Sequence, residues 1–397
     1  MKALFTSFPQ YGHLPPLLPL ARAAAAAGDE VVVAVSKDLH AAAEGLPVRD
    51  LGPSLPDLMA ENKNRFDKDL ARLRTDNDAD TVVEADLLES TVALFTTTRA
   101  DMAYDELSAL AADERPDVIV AEMWDFVAPL VAGRLGIPWV TFVHSPASPI
   151  DAPLEEGLAT ALKQRALPMP PLLATVQMWP EWLESEPAAT AHEGAIAIQA
   201  VPHDTGVMAD IPAFNGGRPV LLVTFGTVVQ DLTLLNAAVR GVLDAGADAL
   251  VTTGFTVRPD DVEGDPGRVR AVQFAPIARL LDRVEAVVAA GGSGTTLAAL
   301  SRGLPLAFVP RFANQPLVAS VVARFGAGVV CEDPANLAPA LEMLLHAPEL
   351  RTQARAAAEL LGRRPTPEAA WSQLRGRIGQ PVRDTSASAG VVRKSRD

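Results

Sequence analysis

The chain has 397 residues, 49% of them hydrophobic, with a net charge of −15, a mean hydropathy of +0.16 and a pI of about 4.9. Domains run ~100–200 residues, so this length exceeds one compact core, and the composition excludes a chain disordered throughout. So acidic a balance is a poor match for nucleic acid or an anionic membrane, and the single cysteine, Cys331, excludes an intrachain disulfide or a Cys-based zinc cluster.

The chain opens on Lys2–Thr6 (KALFT), a short apolar run suited to a buried parallel strand. Pro9, Gln10, Gly12 and His13 then break that run too soon for a signal peptide. No apolar stretch reaches the ~18 residues of a membrane span, and a cytoplasmic location is expected. Leu17–Ala27 reads as a helix stopped by Gly28, and Glu30–Val35 as a second strand, which completes a βαβ unit. Residues 52–100 read as a polar, irregular insertion. Asp117–Ala121 is a strand, Phe126–Leu135 a helix and Pro138–Val143 a strand, followed by a second irregular insertion over 145–190.

Residues 201–218, rich in Pro, Gly and Asp, read as a linker. The alternation then restarts, with strands expected at Pro219–Phe225, Ala249–Thr252, Val269–Phe274, Ala286–Ala289, Pro305–Val309 and Gly328–Cys331. Ala338–Leu361 and Pro367–Ile378 read as the last helices. The expected fold class is α/β, two Rossmann-like parallel-sheet domains facing a cleft. The boundaries are 1–200, a linker at 201–218, a second domain at 219–366, a helix at 367–379 that packs back on the first domain, and a disordered tail at 380–397.

Two glycine turns mark an anion site. Ala286–Thr295 (AVVAAGGSGT) is a strand, a Gly291-Gly292-Ser293-Gly294-Thr295 turn and then a helix from Thr296. Glycines allow close backbone approach, and free amides at a helix start meet negative charge. Ser293 and Thr295 add hydroxyl donors. It is neither a dinucleotide fingerprint nor a Walker loop. Phe225-Gly226-Thr227 after the first strand of that domain supplies a second amide turn at the same sheet edge.

His13 sits at the end of the first strand, and an unperturbed imidazole is a usable base near neutral pH. Such a base needs an orienting carboxylate. Glu122, at a strand end, and Asp125 are both available, with Glu122 better placed. His144 is a rival base at a third strand end. Phe8, Tyr11, Trp124, Phe126 and Phe142 cluster in sequence around these strand ends and suit an apolar acceptor.

Together these residues resemble the inverting, nucleotide-sugar-dependent glycosyltransferases of GT-B fold, of the family-1 type found in actinobacterial natural-product pathways. The resemblance spans about residues 1–376. Gly12-His13-Leu14-Pro15-Pro16-Leu17 is similar to the family's opening motif, and Pro116–Glu122 to the strand ending in the acid that supports its base. Phe274-Ala275-Pro276 resembles the nucleobase segment, and Pro310–Pro316 the loop that reads donor sugar hydroxyls through Asn314 and Gln315.

The resemblance implies His13 and Glu122 as the catalytic pair. It places the donor phosphates on Gly226, Thr227 and Gly291–Thr295, and the acceptor beside Phe8, Tyr11, Trp124, Phe126 and His144. It implies no cofactor and no metal, with a dTDP- or UDP-linked sugar as co-substrate. The implied partners are that donor and an aglycone, with no nucleic acid or membrane; homodimerisation stays open. Two positions depart from the pattern. Ala290 stands where a phosphate-contacting histidine is usual, a loss worth roughly 10–150-fold in donor binding, and Asn314 stands where Asp is usual.

Other readings remain at this stage. Asp76-Asn77-Asp78 and Asp78-Ala79-Asp80 match the letters of a metal-binding Asp-x-Asp but follow no strand. A sugar-nucleotide epimerase and a non-catalytic GT-B-like partner protein share the architecture.

Overall fold

The structure is a computed structural model that describes residues 1–73, 88–184, 194–202, 204, 211, 213–214, 216–226, 231–332 and 337–378, with the side chains of 66–73 left aside. Thr227, the Asp76–Asp80 stretch and the tail from 380 lie outside the described residues.

Two parallel sheets form the molecule. The first holds β1 (Lys2–Thr6), β2 (Glu30–Val35), β3 (Val48–Asp50), β4 (Val118–Glu122), β5 (Trp139–Val143), β6 (Leu172–Gln177) and β7 (Ile196–Ala197), in the order β3-β2-β1-β4-β5-β6-β7. The second holds β8 (Val220–Thr224), β9 (Asp248–Thr252), β10 (Val269–Val272), β11 (Ala286–Ala289), β12 (Leu306–Phe308) and β13 (Gly328–Val330), in the order β10-β9-β8-β11-β12-β13. Each sheet starts at its middle and winds outward both ways. The switch points therefore fall between β1 and β4 and between β8 and β11, where ligands bind in such folds.

Helices cover both faces, so central strands carry nearly unbroken apolar runs. In β4 all five positions are buried. Each fully buried Val, Leu or Phe contributes ~1.5–3 kcal/mol. Helix α1 (Leu14–Ala26) starts three residues earlier than expected, because Pro15 and Pro16 fit the first turn, where no intrahelical N–H is needed.

Both expected insertions are in fact structured. Within 52–100 lies the helix Leu55–Leu73, and Leu94–Thr98 forms a π turn leading into the helix Arg99–Glu114. Charge density hid an amphipathic pattern there, with Leu58 wholly buried on its inner face. Within 145–190 lie the helix Asp151–Gln164 and the sheet strand β6, whose Pro-rich approach disguised it. The expected helix Ala338–Leu361 is two, Leu337–His346 and Pro348–Gly362, because Pro348 cannot donate to a continuing helix.

The last described helix returns to the first sheet. Helix Pro367–Arg375 packs on α1, with Trp371 buried, its ring 6.0 Å from that of Phe5 and its Nε1 donating to Asp29 at 2.9 Å. Arg364 donates to the carbonyls of Gln177 and Ile198. No helix among the described residues is long and apolar enough to cross a membrane.

Candidate active site

Three neighbouring strands deliver three side chains to one point. His13 follows β1, Glu122 ends β4 and His144 follows β5. All three are buried, at 5%, 1% and 3% exposure. His13 Nδ1 lies 3.1 Å from Glu122 Oε2, an ion-pair distance with an angle too bent for good hydrogen-bond alignment. His144 Nε2 lies 2.9 Å from the other oxygen, Oε1, which also accepts from the Trp124 N–H at 3.2 Å.

Burial pushes the Glu122 carboxyl up. The nearby His13 charge and the hydrogen bonds of both histidines outweigh that and hold it at about 2. Glu122 is thus a carboxylate at neutral pH. With Nδ1 facing it, Nε2 of His13 is the nitrogen left for an incoming proton. Asp125, the alternative partner, is buried in the field of Arg99, with its pKa raised by burial. The two histidines and the carboxylate also make a set of three groups able to ligate a metal, whose donor atoms lie within 4.8 Å of one another.

His13 and His144 border a cavity of about 640 Å³ between the carboxyl edges of the two sheets, with Glu122 behind them. Its first-sheet wall includes Trp124, Phe95, Ile150, Leu154 and Met178. Its second-sheet wall carries Gly226, Ala290, Gly292, Ser293, Gly294 and Thr295. Among the described residues that line it, none is Lys, Arg, Asp or Glu.

The glycine turn is tighter than expected. The helix begins at Ser293 rather than Thr296, with Gly292 as its N-cap, so Ser293, Gly294 and Thr295 form its first turn. Their amides have no intrahelical partner and border the cavity. Gly291 does not line it. Its φ is +102°, and a Cβ there would meet the Gln315 carbonyl oxygen at 2.8 Å, so this glycine serves the packing of two loops.

Asn314 and Gln315 line the cavity but are already engaged. Asn314 Nδ2 donates to Ser145 Oγ at 2.6 Å and to Ser293 Oγ at 3.3 Å. Ser293 Oγ donates to Ser145 Oγ at 3.2 Å, which closes a hydrogen-bond triangle across the cleft. Gln315 Oε1 accepts from the amides of Arg311 and Phe312 at 2.9 and 3.3 Å and shapes its own loop.

The chain matches two family models, the erythromycin biosynthesis protein CIII-like N-terminal domain over residues 22–184 and its C-terminal counterpart over 239–375. It is 31% identical to the elloramycin glycosyltransferase ElmGT of Streptomyces olivaceus, over 96% of this chain and 99% of that protein. The chain belongs to the family-1 glycosyltransferases of actinobacterial natural-product pathways. It is also 27% identical to the L-demethylnoviosyl transferase of Streptomyces niveus, over 92% and 96% of the two chains. The glycosyltransferase SsfS6 of Streptomyces sp. SF2575, complexed with thymidine diphosphate, superposes with a TM-score of 0.75 at 27% identity, over 95% and 99% of the chains.

Within this glycosyltransferase several expected site residues stand elsewhere. Phe8 is 1% exposed and does not line the cavity; its ring backs His13 at 5.5 Å and Phe95 at 4.4 Å. Phe126 packs on the Ala100, Leu130 and Leu158 cluster instead. Phe142 is a core residue. Tyr11 lines the cavity but reaches the other domain, 5.3 Å from Phe274 and 5.7 Å from Phe255. Phe274 and Ala275 line the cavity, whereas Pro276 is buried as the N-cap of the helix Ile277–Leu281.

Three contributors were missed. Phe95 lay in a segment expected to be irregular, and only its place on the π turn brings it 5.7 Å from Trp124. Phe255 stacks on Phe274 at 5.4 Å. Ser145 follows His144 directly, and no local pattern marks a serine that bonds across a cleft.

Proposed function

We propose that this glycosyltransferase moves a sugar from a dTDP- or UDP-linked donor to a bulky, apolar aglycone, with inversion and without a metal. The observation that carries the reading is His13 set on the Glu122 carboxylate at the mouth of a cleft faced by free helix-start amides. The acceptor O–H gives its proton to His13 Nε2 as its oxygen forms a bond to the anomeric carbon. The bond from that carbon to the diphosphate oxygen breaks, and the nucleoside diphosphate leaves from the opposite face. Glu122 stabilises the imidazolium.

No cationic side chain among the described lining residues meets the diphosphate. The leaving charge falls instead on the amides of Gly226, Gly292, Ser293, Gly294 and Thr295 and on the Thr295 hydroxyl, fixed before the reaction begins. Trp124, Phe95, Ile150 and Leu154 favour a flat apolar acceptor. That the thymidine diphosphate complex of SsfS6 superposes supports a nucleoside-diphosphate donor.

His13→Ala should lower kcat by about 100- to 10,000-fold while donor binding stays near wild type. The assay is transfer from dTDP-rhamnose to a hydroxylated anthraquinone. Near-normal transfer by His13→Ala sinks the base assignment. Loss of turnover on treatment with EDTA, restored by zinc, would instead make the His13, Glu122 and His144 set a metal site.

A further inference from the structure

His144 was expected to touch the acceptor or to rival His13 as base. It lines the cavity, as contact with an acceptor needs, but its geometry does not fit a base. Its Nε2 is spent on Glu122 Oε1 at 2.9 Å, and its Nδ1 is buried without a hydrogen-bond partner among the described residues. Its ring stands edge-on to His13 at 5.5 Å and to Trp124 at 5.9 Å.

We propose that His144 is a positioning residue, which holds Glu122 so that one carboxylate oxygen is reserved for His13 and fixes His13 in the tautomer with its proton on Nδ1. This rests on the reading of His13 as the base. A carboxylate has two oxygens and rotates about its last bond. Glu122 is fully buried, so water cannot fix its plane. His144 Nε2–H and the Trp124 amide pin Oε1 from one side. Oε2 then faces His13 Nδ1 at 3.1 Å, where its charge favours the proton on that nitrogen and leaves Nε2 with its lone pair.

The backbone fixes this arrangement. β4 and β5 are neighbours in register, with Glu122 opposite Phe142, so the residue two places on, His144, emerges beside the carboxylate. His144 donates from Nε2, the ring nitrogen farther from its backbone, and a glutamine amide reaches about as far. His144→Gln can therefore supply the same donor, whereas His144→Leu fills the space without one.

The test is ¹⁵N-histidine NMR of the full chain, whose six histidines allow assignment by difference. It is paired with kinetics on dTDP-rhamnose and the hydroxyanthraquinone. In the wild type and in His144→Gln, His13 carries its proton on Nδ1. In His144→Leu, the other tautomer gains population, and kcat falls about 10- to 100-fold with donor KM within about twofold. Restoration of kcat to within about threefold by glutamine separates positioning from mere packing.

An unchanged His13 tautomer in a folded His144→Leu variant overturns the proposal, whatever the turnover. If His13→Ala abolishes turnover while His144→Leu is silent, the base reading stands and only the positioning role falls. If His13→Ala retains turnover, the base reading falls, and the tautomer spectrum still reports whether His144 sets Glu122.

Discussion

Asn314 Nδ2 stands 2.6 Å from Ser145 Oγ, a hydrogen bond between the loop after β12 and the segment after β5. Ser145 is fully buried, so its oxygen has no exchange with water. Ser293, on the first helical turn beside the cavity, shares the same oxygen. One serine therefore ties the first sheet to two loops of the second. The bond also orients the Asn314 amide: with its NH₂ donating to Ser145, its carbonyl oxygen is the end left to accept from another group. An aspartate here would need the serine to donate instead.

Ser145→Ala should therefore destabilise the joined domains by about 1–3 kcal/mol, because it strands the Asn314 donor in a part-buried seam. Combined with Asn314→Ala in a double-mutant cycle, the two changes should show a coupling of about 0.5–3 kcal/mol in thermal unfolding. A coupling near zero would mean that the contact carries no energy.

Glu184 carries a prediction about pH. Its side chain is buried, with the residue 4% exposed, where Oε2 accepts from the Ala147 amide at 3.0 Å and Oε1 has no hydrogen-bond partner among the described residues. Burial, with Asp151 and Glu181 nearby, raises its pKa to about 7. A raised acid contributes stability that is full below the ordinary value of 4.5 and is lost as pH climbs through about 7. Glu184→Gln keeps an acceptor for Ala147 and removes the ionisation. It should match the wild type at pH 5 and exceed it by on the order of 1–3 kcal/mol at pH 8, in denaturant unfolding at both values. Glu122 runs the other way. Its depressed pKa gives stability that is present above pH 4.5 and lost as pH falls towards 2.

The strand ends were the legible part of this site. KALFT, DVIVA and AVVA are unbroken apolar runs, and parallel strands buried on both faces leave that trace in one dimension. Their ends then placed His13 and the glycine turn, and favoured Glu122 over Asp125. What stayed hidden depends on partners far away in sequence. Leu55–Leu73 is a charge-rich helix whose inner face is defined only by what it packs on. Tyr11 reads as an acceptor aromatic until the second sheet brings Phe274 to it, 263 positions later. Glu122 and Asp125 are both carboxylates, three residues apart. Only the fold shows that one faces His13 and the other sits in the field of Arg99.

Ala290 offers a gain-of-function test. It follows β11 directly, is 3% exposed and borders the cavity next to the N-cap Gly292. A histidine here extends from a rigid strand end into the space where the helix-start amides converge, and its N–H can meet a donor phosphate. A hydrogen bond to a charged group is worth ~1.5–3 kcal/mol, so Ala290→His should tighten thymidine diphosphate binding by about 10-fold or more. The gain should be larger at pH 6 than at pH 8, since the protonated imidazole adds charge attraction. The change has a cost in stability, because Ala290 also belongs to the apolar cluster with Phe225 and Val309, and overpacking costs ~1–3 kcal/mol. Calorimetric titration of thymidine diphosphate at both pH values, with thermal unfolding alongside, reads both effects. Tighter binding with a lower melting temperature is expected. Unchanged or weaker binding in a folded variant would place the phosphates away from Ala290 and move the donor site along the cleft.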